Sequence, residues 1–143
     1  MARVKVELPG NFTFSAKIPV RITDINYGGH VGNDTILSIL HEARVQYLKH
    51  YGYTELNFGG TGIIMSDVAI EFKNELFYED VIIASVAATE FSKVAFELYY
   101  KLEKQSSSGN ALIAVAKTGM VCYDYNAKKI VAVPAEVKAK LSA

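Results

Sequence analysis

Apolar residues between Asn33 and about His50 recur with the spacing of an α-helix. They fall at i, i+4, i+7 and i+11, so that one face of the helix is continuously apolar. These positions are Ile36, Leu40, Ala43, Tyr47, Leu48 and Tyr51. Asn33 or Asp34 can cap the start of the helix, and Gly52 lies just beyond its end. The pattern therefore predicts one long helix that packs against a broad apolar surface.

Short runs rich in Val, Ile, Phe and Tyr flank this helix and predict β-strands. One precedes the helix at about 13–22, and the others follow it at about 62–73, 80–90, 93–104, 111–124 and 129–133. The run at 93–104 alternates apolar and polar residues, which is typical of an antiparallel strand with one buried face. A short final helix begins after Pro134, because proline suits the first turn of a helix.

The order of these elements predicts an α+β fold in which one long central helix is wrapped by a curved antiparallel sheet of five to six strands. Such a sheet leaves an edge strand and apolar surface open, and we expect a second copy of the chain to cover them. We expect residues 1–143 to form a single domain, because two independent cores would be cramped at this length.

Charge and cysteine content exclude several classes of protein. The 15 Lys and Arg residues balance 15 Asp and Glu residues, whereas a nucleic-acid-binding protein needs a basic surface. No run of about eighteen apolar residues could span a membrane, and the start of the chain lacks the apolar run of a signal peptide. The single cysteine, Cys122, cannot form an intramolecular disulfide, and no Cys/His spacing resembles a zinc site. We expect a cytoplasmic protein without a bound metal, with Cys122 as a small buried apolar residue.

The loop from Asp24 to Asn33, DINYGGHVGN, contains the residues best suited to chemistry. It leads into the start of the predicted helix, where backbone N–H groups have no intrahelical partner and carry partial positive charge. If those groups point at a carbonyl oxygen, they stabilise an oxyanion. Residue types alone also fit an ordinary turn, a helix cap and a histidine that only packs.

The stretch from Asp24 to Leu48 resembles the hot-dog-fold acyl-CoA thioesterases of the 4-hydroxybenzoyl-CoA thioesterase type. That family shows D-x-D-x-x-G-x-V, often with GHVNN, followed by an apolar helix with a run such as E-x-A-R. The positions that match without gaps are Asp24, Gly29, Val31, Asn33, Ala43, Arg44, Tyr47 and Leu48. The resemblance implies a hot-dog domain that hydrolyses a thioester of coenzyme A or of acyl carrier protein, as a homodimer or homotetramer. It implies no cofactor beyond the coenzyme A of the substrate.

One position departs from the family pattern: the second acid of D-x-D is Asn26. An amide cannot act as a nucleophile or a general base, although it can position a water or donate to the thioester carbonyl. The remaining candidates for the base are Asp24, His30 and Glu42. We favour Asp24 or His30, since imidazole exchanges protons near neutral pH. Glu42 more readily fits the polar face of the helix.

The resemblance also suggests which residues contact the substrate. The backbone N–H of Asn33, at the start of the helix, would polarise the thioester carbonyl. Gly29 and Gly32 belong to the same substrate-binding segment, and Gly32 leaves room for the acyl group or the pantetheine arm. In such enzymes the site lies at the dimer interface, so strands of the partner would complete it.

Two other functions fit the same loop. The (R)-specific enoyl-CoA hydratases carry D-x-N-P-x-H, in which Asp and His hold a catalytic water. Asp24 and Asn26 followed by His30 resemble that motif, but one extra residue precedes the histidine and Tyr27 replaces proline. Alternatively, Asn26 marks a protein that binds acyl-CoA or acyl carrier protein without hydrolysing it.

Overall fold

The computed structural model describes residues 3–142 and confirms the predicted α+β architecture, with one long helix and a curved antiparallel sheet. The long helix, α1, spans Asn33–His50 and the C-terminal helix, α2, spans Ala135–Ser142. The strands are β1 (Phe14–Pro19), β2 (Gly62–Phe72), β3 (Val81–Thr89), β4 (Ala95–Lys104), β5 (Ala111–Asp124) and β6 (Lys129–Ile130). Neither helix of this part of the chain is long and apolar enough to cross a membrane.

The strands form one sheet in the order β1-β3-β4-β5-β2, with β6 paired to the end of β5. Every pairing is antiparallel. Strands β1 and β2 therefore form the two edges of the sheet. The predicted face of α1 is buried in the core, as is the apolar face of β4. The loop before α1 lies beside the segment between β2 and β3, since the N–H of Val31 donates to the carbonyl of Leu76.

Some details differ from the sequence-based expectation. The last strand, β6, ends at Ile130, so the strand predicted at 129–133 is shorter than expected. Helix α1 begins at Asn33, but its N-cap residue is Gly32 and no side chain caps it, so the predicted cap by Asn33 or Asp34 is wrong. Strand β1 ends at Pro19 rather than near residue 22. Residues Ile22–Asp24 form a 3-10 turn instead, because the Asp24 carboxylate accepts the backbone N–H of Arg21 at 2.8 Å.

Candidate functional site

The loop before α1 is a tight hairpin. Ile25 and Val31 pair as an isolated antiparallel bridge. Between them, the N–H of Asn26 donates to the carbonyl of His30 at 3.0 Å, and the N–H of Gly29 donates to the carbonyl of Asn26 at 3.1 Å. Gly29 has φ +85°, which glycine adopts easily, and an added Cβ there would contact nothing within 4 Å. Gly29 therefore shapes the turn.

The side chain of Asn26 is fixed beside the start of α1. Its Oδ1 accepts the backbone N–H of Gly28 at 2.9 Å. Its Nδ2 lies 3.2 Å from the position that a Cβ on Gly32 would occupy, and Oδ1 of Asp34 lies 2.6 Å from the same position. The room beside Gly32 is thus filled by two side chains of this chain, and the amide hydrogens of Asn26 lie at the end of the helix.

The first backbone N–H groups of α1 are open. The carbonyl of Gly32 accepts from Thr35 at 3.1 Å and from Ile36 at 3.3 Å, so Asn33 and Asp34 precede the first intrahelical bond. No side chain caps this end, and Asn33 is exposed. These N–H groups carry the positive end of the helix dipole and can donate to an oxygen of a bound molecule.

His30 lies next to this helix end, with its side chain 35% exposed. Its Nδ1 is 3.1 Å from the carbonyl oxygen of Val31. Because a carbonyl only accepts, Nδ1 carries the hydrogen in the neutral ring and Nε2 keeps its lone pair. Nε2 lies 3.6 Å from the position that a Cβ on Gly28 would occupy, and Asn26 lies beside the same position. The hairpin therefore brings Asn26, His30 and the helix terminus together.

His30 and Asn33 line one cleft of about 340 Å³. Its apolar wall consists of Val31, Ile36, Phe72, Leu76 and Ile113, and its polar members beyond the loop are Lys73, Asn74 and Glu75. The far side of the cleft is thus formed by the segment between β2 and β3. That segment is tied to the loop, since the N–H of Val31 donates to the carbonyl of Leu76 at 2.9 Å.

Asp24 lies elsewhere. It is buried, its Oδ2 accepts the N–H of Arg21 at 2.8 Å, and its Oδ1 is 3.3 Å from Nη2 of Arg21. Asp24 lines a separate cleft of about 240 Å³ together with Ser38 and Glu42. Glu42 accepts a hydrogen bond from Gln46 one turn further along α1, at 2.7 Å. The structure therefore groups Asp24 with Glu42 and does not bring either acid into the cleft of His30.

Glu75 is the residue that the sequence did not point to. Its Oε1 lies 4.0 Å from Nε2 of His30, and both side chains line the same cleft. Glu75 belongs to the turn region after β2, far from the loop along the chain. The only signal in the sequence was an acid shortly after a predicted strand. That signal becomes informative only when the order of the strands in the sheet is known.

A second polar cluster lies on the sheet face that points away from α1. The hydroxyl of Tyr99 is 3.0 Å from Oε2 of Glu90 and 3.1 Å from Oε2 of Glu97, and Nζ of Lys117 is 3.3 Å from Oε1 of Glu97. Burial, followed by the neighbouring Glu90, raises the pKa of Glu97, whereas hydrogen bonds from Glu97 and Tyr99 lower the pKa of Glu90. This cluster contains no helix terminus that could polarise a carbonyl.

Cys122 is fully buried in β5, as predicted. Burial raises the pKa of its thiol to about 11, so the group stays neutral and unreactive at ordinary pH. Within residues 3–142, no three His, Cys, Asp or Glu side chains lie close enough together to hold a metal ion.

Comparison with known proteins places this geometry in a family. Residues 20–141 match the model of the thioesterase-like superfamily. A protein of Aquifex aeolicus, named provisionally as an esterase, is 27% identical over 128 residues, which cover 88% of this chain and 94% of that protein.

Two solved structures share the fold at low sequence identity. One is a 1,4-dihydroxy-2-naphthoyl-CoA thioesterase from Synechocystis, with a TM-score of 0.79 and 21% identity over 90% of this chain and 95% of that one. The other is the 4-hydroxybenzoyl-CoA thioesterase from Pseudomonas sp. strain CBS-3, with a TM-score of 0.79 and 17% identity over 91% of this chain and 99% of that one. These structures share the fold, and the family match over residues 20–141 shows that this chain belongs to the thioesterase-like superfamily.

Proposed function

We propose that this protein hydrolyses an acyl-CoA thioester to the free acid and coenzyme A. The observation that carries the proposal is the uncapped start of α1, whose first residue, Asn33, lines the same cleft as His30. Membership of the thioesterase-like superfamily supports the reaction class. The names of the two similar enzymes support coenzyme A, rather than acyl carrier protein, as the carrier.

In the proposed reaction the thioester carbonyl oxygen accepts the N–H of Asn33. Asn26 supplies a second donor from Nδ2, which suits an amide that cannot itself act as the base. Nε2 of His30 removes a proton from a water as the water oxygen bonds to the carbonyl carbon. One oxyanion donor of this kind is commonly worth about a hundred- to a thousandfold in rate. When the carbonyl re-forms, the C–S bond breaks and the thiolate takes the proton from His30.

The other predicted site residues have supporting roles in this proposal. Both oxygens of Asp24 are engaged by Arg21, so Asp24 holds the turn that leads into the loop. Gly29 permits the hairpin, and Gly32 lets the side chain of Asn26 approach the helix. Glu42 remains outside the cleft of His30. Every group in this route comes from the chain, the substrate or water, so we propose that no further cofactor takes part.

We also propose that the protein works as a homodimer formed through β2. Apart from Ile63, whose N–H donates to the carbonyl of Glu55 at 2.9 Å, the backbone of β2 pairs only with β5 among the described residues, which leaves the rest of its other edge open. Met65, Val68 and Phe72 pair in register with residues of β5 that are fully buried, yet these three remain 44%, 38% and 47% exposed. Cross-strand partners share a face of the sheet, so the core-facing side of β2 continues into solvent. A second copy would cover it and close the cleft of His30.

The direct test measures thiol release from a series of aliphatic and aromatic acyl-CoAs. We expect turnover with at least one of them, and we expect His30→Ala to lower kcat by about a hundredfold or more. His50→Ala, at the other end of α1, is the control and retains the wild-type rate. Saturable binding without turnover of any acyl-CoA would show that the protein is a binding protein instead.

Crotonyl-CoA distinguishes hydrolysis from the hydratase reaction. A hydratase of the kind that the loop resembles needs Asp and His on one water, whereas here Asp24 and His30 line separate clefts. We therefore expect no addition of water to the double bond. Addition of water without release of thiol would overturn the proposal.

A further inference from the structure

We propose that Glu75 and His30 together hold the attacking water, so that Glu75 is a further catalytic residue of this site. The inference rests on the thioester hydrolysis proposed above. It answers a specific gap, because Asn26 stands where a carboxylate is expected and Asp24 is engaged by Arg21. Among residues 3–142, Glu75 is the one carboxylate that lines the cleft of His30.

The backbone holds Glu75 in place between two anchors. On one side, the Asn74 side chain donates to the carbonyl of Leu112 in β5 at 2.7 Å. On the other side, Leu76 is buried and its carbonyl accepts the N–H of Val31 at 2.9 Å. Since Val31 directly follows the histidine, this last bond fixes the distance between the loop and the segment that carries Glu75.

The two acceptors have the spacing that one water requires. Nδ1–H of His30 donates to the carbonyl of Val31, so Nε2 presents a lone pair. Oε1 of Glu75 lies 4.0 Å from that Nε2. A water that donates one hydrogen to each of two acceptors, at about 2.8 Å each, needs acceptors roughly 4 to 4.5 Å apart. With both hydrogens held, its lone pairs are directed away from Glu75 and His30 and into the cleft.

The step then runs as an ordinary hydrolysis. One water proton passes to Nε2 of His30, while the other hydrogen stays on the water oxygen and keeps its hydrogen bond to the carboxylate of Glu75. The water oxygen bonds to the carbonyl carbon, and the carbonyl electron pair moves onto the oxygen held by the N–H of Asn33. The imidazolium that forms faces the negative charge of Glu75, which stabilises it. On collapse, the C–S bond breaks and the thiolate takes the proton from His30.

Few other charged groups lie close to His30 and Glu75. Lys73 lines the same cleft, but its Nζ lies 3.2 Å from Oε1 of Glu71. On α1, Oδ1 of Asp34 lies beside Gly32, at the helix end. Among the described residues that line the cleft, Glu75 is thus the acid beside the imidazole, at 4.0 Å from Nε2.

The experiment compares Glu75→Gln with the wild type on an acyl-CoA that the wild type hydrolyses. We expect kcat to fall by about 30-fold or more with KM little changed, because the water is misaligned and the imidazolium loses its partner. Glu75→Asp, which keeps the carboxylate, should retain more of kcat than Glu75→Gln does.

Glu79→Gln is the matched control, since Glu79 is exposed on the same segment and does not line the cleft. The Glu75 side chain is 64% exposed, so the substitutions should fold, which a thermal melt verifies. If Glu75→Gln keeps wild-type kcat, or if Glu75→Asp loses as much rate as Glu75→Gln, Glu75 does not hold the water and thioester hydrolysis by the protein still stands. If the wild type hydrolyses no acyl-CoA, the proposed function fails and the role of Glu75 fails with it.

Discussion

Nη1 of Arg44 lies 3.1 Å from the hydroxyl of Tyr100, deep between α1 and β4. Arg44 is only 7% exposed, and its Nε is also 3.2 Å from Oε2 of Glu55. The Tyr100 hydroxyl is in turn 2.7 Å from Oγ1 of Thr118. Burial raises the pKa of Tyr100, with Arg44 and Thr118 acting in the opposite direction. Arg44 therefore has a structural role in the core, where it links α1 to β4 and, through Tyr100, to β5.

We predict that Tyr100→Phe lowers the free energy of unfolding by about 1 to 3 kcal/mol, because it removes the buried hydroxyl that both Nη1 of Arg44 and Oγ1 of Thr118 contact. Tyr99→Phe is the matched control, since its hydroxyl contacts Glu90 and Glu97 on the outer face of the same strand. That change should cost less than about 1 kcal/mol. Urea unfolding of both variants measures the difference. Equal losses would show that the buried hydroxyl contributes nothing particular.

The sequence predicted the helices and strands well, because an element with one buried face repeats its apolar residues at a fixed spacing. The stripe through Leu40, Ala43 and Tyr47 marks a helix with one buried face, and all three side chains are buried. Alternation along 93–104 likewise identified the buried face of β4. The end of β1 at Pro19 was missed, because the run of apolar residues continues beyond the proline that stops the ladder.

The candidate site could be predicted only in part. The loop and its glycines were recognisable from local sequence, and the structure places Asn26, His30 and Asn33 together. The separation of Asp24 from His30 was not recognisable from local sequence, because it depends on the bridge between Ile25 and Val31 that closes the hairpin between them. Contacts such as that of Glu75 depend on which strands are neighbours, and local sequence does not contain that information.

For Asp24 we predict that charge is dispensable and hydrogen bonding is not. Asp24→Asn keeps an oxygen for the N–H of Arg21 and should retain activity within about threefold, whereas Asp24→Ala should lose about 1 kcal/mol of stability and most of the activity. Steady-state rates and thermal melts of the two variants decide the matter. A collapse of kcat in Asp24→Asn with an intact fold would mean that the carboxylate contacts the water.

Substitution by alanine should reduce the stability of the protein to different extents at the neighbouring glycines Gly59 and Gly60. Both have positive φ, at +70° for Gly59 and +98° for Gly60, so each substitution carries backbone strain of roughly 1 kcal/mol. Only at Gly59 would the new Cβ lie 2.6 Å from Val137 and 3.2 Å from Pro134, while the space at Gly60 is open. We predict that Gly59→Ala costs at least about 1 kcal/mol more than Gly60→Ala, because α2 must shift. Equal midpoints in urea would contradict this packing.

The buried thiol of Cys122 should not react in an assay that measures thiol release with a disulfide reagent. Because burial raises the pKa of Cys122 to about 11, the thiolate is scarce in the folded protein below that pH, and thiol reagents find no accessible sulfur. We predict no reaction of native protein with a disulfide reagent at pH 8, and one thiol per chain after unfolding in guanidinium. Rapid native labelling would show that β5 opens, and thiol release from substrate would then have to be followed on Cys122→Ala.

Assembly through β2 should depend on its core-facing side. We predict that wild-type protein has twice the chain mass by light scattering at micromolar concentration, and that Val68→Lys reduces it to the monomer, because a charge would be buried against the second copy. Ala69→Lys is the control, since Ala69 pairs with Lys117 on the opposite face of the sheet. If the partner completes the cleft of His30, Val68→Lys should also lose turnover while Ala69→Lys keeps it. A wild-type monomer with full activity would show that one chain is sufficient, and that the exposed side chains of β2 serve another purpose.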